Sequence, residues 1–396
     1  MDHQIPKTLI IADDLTGALD AAGPFCDRGL RVATIVDPQS LSSKIDLSKI
    51  DVLAVNSDSR HVPVAEATRR VETITHSIDV EQFNFVIKKI DSTLRGNVVA
   101  ETVCLASVLN RGLVLVAPAF PEQSRTVKRG YVHVAGVKLG ETEFATDKLN
   151  PAPKEPIHDL FTEHPDVNEA VLGDASTDLF VSSDCLKVIA YDAEHDIELQ
   201  RAVDAFHANV EGSILVGSSG ITSRFAQSLP SRDVAREDVS AESLLFVVGS
   251  RSERSELQVK GLVERSLGSV AHGANGEFGA LHLDSENVFA LVAGEDASEV
   301  VSSSVVASRL ASTAADVVRS RNFEAVVVTG GDTALALLRE MKVSAVEVLR
   351  NFVPGIPISR ISFAGKQILL LTKAGGFGDL DLFVRIATEL PRGTTD

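Results

Sequence analysis

The chain has no tryptophan, and aromatic residues make up 5% of its 396 positions. Its cores must therefore be built from Val, Leu, Ile and Ala rather than from large rings. The cysteines Cys26, Cys104 and Cys185 are scattered, without a CxxC pair or zinc-ligand spacing. That argues against a disulfide framework or a structural zinc and fits a reducing cytoplasm. Basic residues are outnumbered, 38 against 55 acidic, for a net charge of −17. A nucleic-acid partner, which needs a basic face, is not expected. No apolar run approaches the roughly 18 residues of a membrane span, and Met1–Pro6 lacks the charged and apolar regions of a secretory signal. Both standard nucleotide fingerprints are also missing: there is no GxxxxGK[ST] loop and no strand-linked GxGxxG.

What is present is a steady alternation of short β-rich runs and helical patterns. Thr8–Ala12, Arg31–Val36, Val52–Val55, Phe85–Ile90, Leu113–Ala117, Leu186–Ala190 and Ile214–Val216 read as strands. Thr16–Arg28, Val64–Ile78 and Val98–Leu109 read as helices between them. Continuous apolar runs suggest strands covered on both faces, hence a parallel sheet. The breaker cluster Leu149–Pro156 is taken as a loop inside this first set, because strand-like runs resume after it. The polar, weakly periodic stretch Leu229–Asp238 is the better boundary. After it Leu244–Val248, Ala325–Val328 and Gln367–Leu371 read as strands, and Glu253–Arg265, Glu299–Arg319 and Thr333–Met341 as helices; Ala297–Ala315 reads as a packed helix. Length favours two domains. The expected fold is α/β with two domains, residues 1–230 and 240–396, each a mostly parallel sheet flanked by helices, with a cleft between them.

Chemistry concentrates at strand ends, where ligands bind in open α/β sheets. Lys88-Lys89-Ile90-Asp91-Ser92-Thr93-Leu94-Arg95-Gly96-Asn97 follows a buried-looking run and precedes a helix. It gathers two lysines, a carboxylate, two hydroxyls and an arginine where free helix N–H groups favour anions. Ile10–Ala18 delivers Asp13 and Asp14 to the end of another strand. Asp14 is the natural helix cap, which leaves Asp13 to face a ligand. The adjacent aspartates lack the one-residue spacing of a phosphatase nucleophile. Asn56-Ser57-Asp58-Ser59-Arg60 adds an arginine able to clamp a carboxylate with two parallel bonds. Ala117–Thr126, with two prolines, reads as a rigid loop beside the same crevice. Arg60, Lys89 and Arg95 would surround the carboxylate of a small acid, with Lys88, Ser92 and Thr93 in the same segment, while Asp13 and Asp91 orient its hydroxyls.

In the C-terminal half, Gly249-Ser250-Arg251-Ser252, Thr329-Gly330-Gly331-Asp332-Thr333 and Lys373–Asp379 each follow a strand. Glycines there permit close backbone approach to phosphates. Three such turns in one domain point to a nucleotide, with Ser250, Ser252, Gly330, Gly331, Asp332, Thr333, Gly375 and Gly376 as its contacts. Asp332 also fits a plain helix cap.

The Asp13–Gly17 opening, Lys88–Asn97, the Ala117–Arg125 loop, the Gly249–Ser252 turn, Thr329–Thr333 and Lys373–Asp379 occur in the order found in the four-carbon acid sugar kinases, and the chain resembles that family over essentially its whole length. The resemblance implies ATP-dependent phosphorylation of threonate, erythronate or 3-oxo-tetronate, usually at the terminal hydroxyl. It implies an N-terminal domain for the acid and a C-terminal domain for ATP. Mg²⁺ would bridge the phosphates. Among Asp91, Asp13 and Asp332, the candidate catalytic carboxylates, Asp91 is expected to orient or deprotonate the attacking hydroxyl and Asp332 to serve the phosphate–metal side; the metal ligands stay unassigned, and a homo-oligomer stays open. Two other readings fit the residues: a non-catalytic sugar-acid sensor, which would not need the glycine turns, and an NAD-dependent sugar-acid dehydrogenase, against which the missing GxGxxG argues.

Overall fold

The computed structural model describes residues 5–38, 46–146, 151–174, 177–181, 185–232, 238–281, 283, 287–294 and 301–393. Leu149 and Asn150 of the breaker cluster, residues 233–237 of the boundary stretch and residues 297–300 ahead of the long helix lie outside them. The chain divides into two compact units, Met1–Arg232 and Asp233–Asp396.

In the first unit the strands are β1 (Thr8–Ala12), β2 (Val32–Ile35), β3 (Val52–Asn56), β4 (Phe85–Lys89), β5 (Leu113–Ala117), β6 (Arg125–Lys128), β7 (Tyr131–Val134), β8 (Val137–Lys138), β9 (Glu169–Gly173), β10 (Lys187–Tyr191) and β11 (Ser213–Gly217). The helices are α1 (Leu15–Cys26), α2 (Val64–Ser77), α3 (Val98–Val108), α4 (Ile157–Thr162), α5 (Gln200–Ala208) and α6 (Ser219–Ser228). The main sheet runs β2-β3-β1-β4-β11-β5-β10-β9, with each pair parallel. Strands β1, β3, β4 and β5 are buried along their whole length, as expected for a sheet covered on both faces. Helix α1 is buried nearly all round and packs on β3 and α6. Asp14 begins it by accepting the Gly17 N–H at 2.8 Å, as the sequence suggests. Helix α2 instead buries one stripe, Ala67, Val71, Ile74 and Thr75.

A small antiparallel sheet, β6-β7-β8, was not expected. Its two hairpins turn on Arg129-Gly130 and Ala135-Gly136, all at positive φ. That is the two-residue turn that matches strand twist.

In the second unit the elements are β12 (Leu244–Val248), α7 (Glu253–Glu264), β13 (Ser269–Ala274), β14 (Val288–Gly294), α8 (Ser303–Ser320), β15 (Ala325–Thr329), α9 (Gly331–Glu340), β16 (Ala345–Val353), β17 (Ile356–Phe363), β18 (Lys366–Lys373) and α10 (Leu382–Glu389). The sheet runs β13-β14-β12-β15-β18-β17-β16. The pairs from β13 to β18 are parallel, and β17 and β16 continue it antiparallel. Phe246 of β12 packs on Phe383 of α10, ring centroids 4.8 Å apart, within a core of Val, Leu, Ile and Ala. Both units are therefore α/β with mostly parallel sheets flanked by helices. Among the described residues no helix is long and apolar enough to cross a membrane.

Candidate active site

Register decides which loops of the first unit meet. Ala12 pairs with Asn56 and Lys89, and Gly217 with Lys89 and Ala117. The segments following β3, β1, β4, β11 and β5 therefore emerge side by side at one sheet edge.

Arg60 crosses from the β3 segment to the β1 segment. Its Nε and Nη2 donate to the two Asp13 carboxylate oxygens at 2.8 and 2.9 Å, and its Nη1 donates to Asp14 Oδ2 at 2.8 Å. Burial pushes the Asp13 carboxyl up, but Arg60, with Lys88 and Lys89, holds it below the usual carboxylate value. For Asp14 burial prevails over Arg60 and the carboxyl rises. Arg60 itself is held well above its ordinary value, since Asp13, Asp14 and Asp91 outweigh its burial.

Asp91 Oδ2 accepts from Thr93 Oγ1 and from Arg95 Nε, both at 2.5 Å. Burial raises this carboxyl, yet Arg95 and Arg60 drive it far below the ordinary range. The turn is pinned to the Arg60 segment by Asn97, whose Nδ2 donates to Ser59 O and Val62 O at 2.9 Å each. Ser92 is buried beside it.

Lys88 is set apart from this group. Successive strand side chains point to opposite faces. Lys88 pairs with Glu101 of α3, Nζ to Oε2 2.9 Å, with the two side chains 0% and 1% exposed. Ser59 Oγ donates to the same oxygen at 2.8 Å. Lys89 takes the other face, where its Nζ donates to Ile90 O at 3.0 Å. It lies over the first turn of α1, 3.2 Å from where a Gly17 Cβ would stand. There it faces Asp14 and Asp20, both of whose carboxyls burial pushes up. Asp20 accepts a short hydrogen bond from Ser219 Oγ.

The Ala117–Thr126 loop closes on itself through paired Phe120 and Arg125 backbone bonds, and Ser218 Oγ donates to Ala119 O at 3.1 Å. Arg125 then stacks on Phe144, as does Arg95, with guanidinium carbons 5.6 and 5.5 Å from the ring centroid.

The second unit is organised the same way with different chemistry. Val248, Thr329 and Lys373 end three neighbouring parallel strands in register. Ser252 caps α7 by accepting the Ser255 N–H. Gly330, at φ +95°, occupies the cap position of α9, so Asp332 stands inside the first turn rather than at the cap. Ser250 Oγ donates to Ser252 Oγ at 3.1 Å, and Ser252 Oγ to Gly375 O at 2.8 Å. A Cβ on Gly375 would fall 2.2 Å from Ser250 Oγ, whereas one on Gly376 would meet nothing within 4 Å. Gln258 Nε2 donates to Phe377 O and Asp379 O at 3.3 and 2.8 Å, fixing the turn's far end. Thr329 Oγ1 is buried beside this cradle and finds no hydrogen-bond partner among the described residues. Glycines, hydroxyls and helix N-termini of this kind suit a polyphosphate. Among the described residues no cluster of three His, Cys, Asp or Glu could cage a metal.

A family model described as a sugar-binding N-terminal domain matches residues 8–225, and one described as a nucleotide-binding C-terminal domain matches residues 245–383. The chain is 28% identical to a D-threonate kinase of Bordetella bronchiseptica, over 97% of this chain and 98% of that protein. It is 25% identical to a 3-oxo-tetronate kinase of Cupriavidus necator, over 96% of each, and 25% identical to a D-erythronate kinase of Heliobacterium modesticaldum, over 95% of each. The chain belongs to the four-carbon acid sugar kinase family. A solved Haemophilus influenzae protein of the DUF1537 family shares its fold, with a TM-score of 0.70 at 20% identity, over 97% of this chain and 100% of that one.

Against this family background, several groups at the strand ends had escaped the sequence reading. Asp20 and Ser219 are one pair; Ser218-Ser219-Gly220 follows a strand just as the other motifs do and could have been found by that rule. Asp20 gives no local signal beyond a charge on an otherwise apolar helix. Phe144 completes the set, while the sequence places Lys373 at the start of the Lys373–Asp379 turn without marking it as one of its contacts. Phe144 acts through rings and guanidinia brought together only by the fold.

Proposed function

We propose that this four-carbon acid sugar kinase uses ATP to phosphorylate threonate, erythronate or 3-oxo-tetronate at the terminal hydroxyl. The observation that carries the reading is the register of Val248, Thr329 and Lys373, each opening into a glycine- or serine-lined turn. A sugar-acid sensor has no use for such turns, and the relatives are named as kinases rather than dehydrogenases.

In this reading the first unit takes the acid and the second takes ATP. Arg60, Arg95 and Lys89 supply positive charge for the carboxylate. Asp13 and Asp91 accept from hydroxyls and fix the sugar's orientation. The terminal hydroxyl oxygen bonds to the γ-phosphorus and gives up its proton to water, the bond from the γ-phosphorus to the bridging oxygen breaks, and ADP leaves with that electron pair. Asp91 is held ionised by Arg95, so it is a weak proton acceptor and a good orienting group. That suffices where the transition state is loose and positioning dominates. Ser250, Ser252, Thr333 and the Gly330-Gly331 and Gly375-Gly376 turns hold the phosphates. Mg²⁺, when bound, neutralises charge on the phosphate oxygens, and Asp332 is the carboxylate we assign to it; this ion keeps several waters and needs few protein ligands.

The test is an ADP-release screen over the stereoisomeric threonates, erythronates and 3-oxo-tetronate. Acid-dependent ADP release from one of them is expected. Tight acid binding without any release would favour the sensor instead.

A further inference from the structure

Lys373 is 1% exposed, yet no carboxylate pairs with it among the described residues. Its Nζ donates to Ser255 Oγ at 3.2 Å, Ala374 O at 3.2 Å and Gly375 O at 2.7 Å, all neutral acceptors. Gly375 O also accepts from Ser252 Oγ at 2.8 Å and Ser255 Oγ at 3.1 Å. Three donors thus converge on a carbonyl with two lone pairs. The cluster holds a surplus of donors and lacks negative charge. A buried ammonium without a counter-ion is costly. The turn it supports is the one with open space at Gly376.

We propose that Lys373 is the buried counter-charge for the nucleotide's phosphates, and that phosphate binding makes it take up a proton. The inference rests on the nucleotide reading given above. Burial, with Arg254 adding repulsion, brings the Lys373 ammonium down to about 7. Around it, α7 presents Arg254, α10 presents the Phe383 ring 5.9 Å away, and β15 pairs Thr329 with it. Of these, Arg254 alone carries charge. Above pH 7 the unliganded lysine is therefore mostly neutral. A phosphate anion restores the ammonium, so affinity falls with rising pH, by up to about tenfold per unit, until the liganded lysine also loses its proton.

Calorimetric titration of the full-length protein with ADP at pH 8.5, in buffers of different ionisation enthalpy, reads the proton directly. ADP's phosphates are already deprotonated there. Uptake approaching one proton per ADP is expected for the wild type, and none with adenosine, which has no phosphate. Lys373→Arg keeps a permanent charge and should bind ADP without uptake; Lys373→Met should bind at least tenfold more weakly. Should Lys373→Met fail to fold, the arginine variant still decides. Binding heats independent of buffer in the wild type, or uptake that persists in Lys373→Arg, would overturn the inference while leaving the kinase reading intact. Failure of the wild type to bind ADP at all would overturn both.

Discussion

In the first unit the charges at the strand ends come already compensated: Asp13 and Asp14 share Arg60, Asp91 holds Arg95, and Glu101 holds Lys88. In the second unit the corresponding strand ends carry hydroxyls, glycines, Asp332 and one buried lysine that pairs with no carboxylate among the described residues. The two sets of loops sit on similar parallel sheets, so the sheet does not dictate the chemistry. The contrast suits their proposed ligands. A small acid meets arginines whose forks are pre-aimed by carboxylates, and it gains affinity only where its own carboxylate and hydroxyls fit that arrangement. A polyphosphate meets backbone and hydroxyl donors that await negative charge.

The sharpest break in this comparison comes from Lys88, because its charge is compensated entirely inside the first unit. Lys88→Met alone leaves Glu101 buried and unpaired and should cost about 3–5 kcal/mol in urea unfolding. The double variant Lys88→Met/Glu101→Leu should recover most of that loss and leave the KM for the acid unchanged. If the double variant folds well but its KM rises as far as that of Arg60→Ala, Lys88 belongs to the acid site and the compensated pair is not merely internal.

The next effect falls on the second unit. A Cβ at Gly376 meets nothing within 4 Å among the described residues, so Gly376→Val should fold as the wild type does. Its branched side chain would fill the space proposed for phosphate. The KM for ATP should rise about tenfold or more, with the KM for the acid nearly kept. Normal ATP kinetics in this variant would remove the Lys373–Gly376 turn from the nucleotide site.

The same contrast explains what could be read in advance. The alternation of elements, the ends of β1, β4, β5 and β12 to within a residue, and the Asp14 cap were legible, because they depend on local pattern and capping chemistry. The antiparallel pair β17 and β16 and the small sheet β6-β7-β8 were not, although Arg129-Gly130 and Ala135-Gly136 are turn signals short enough to overlook. Within the site, the sequence presented Lys88 and Lys89 as one cationic pair. Strand alternation separates them, sending one to Glu101 and the other toward Asp14 and Asp20. The depressed Lys373 ammonium was invisible because burial and the absence of a carboxylate are properties of packing.

The smallest expected effect concerns how the first unit's arginines are held. Arg95 and Arg125 come from different segments, yet both stack on Phe144. Two like charges on one ring are brought close at a site proposed for an anion, and each cation–π contact contributes roughly 0.5–1 kcal/mol when solvent-accessible. Phe144→Leu keeps an apolar side chain but removes the ring's quadrupole. The KM for the acid should rise several-fold, while kcat and the KM for ATP hold. Phe144→Tyr should restore the wild-type value, since the phenol presents the same face. An amide analogue of the acid, which lacks the anionic charge, separates this role from simple loop packing: its binding should be equally weak in wild type and Phe144→Leu. If the amide loses affinity in parallel with the acid, Phe144 shapes the loop rather than the charge, and the pairing of Arg95 with Arg125 is not part of carboxylate recognition.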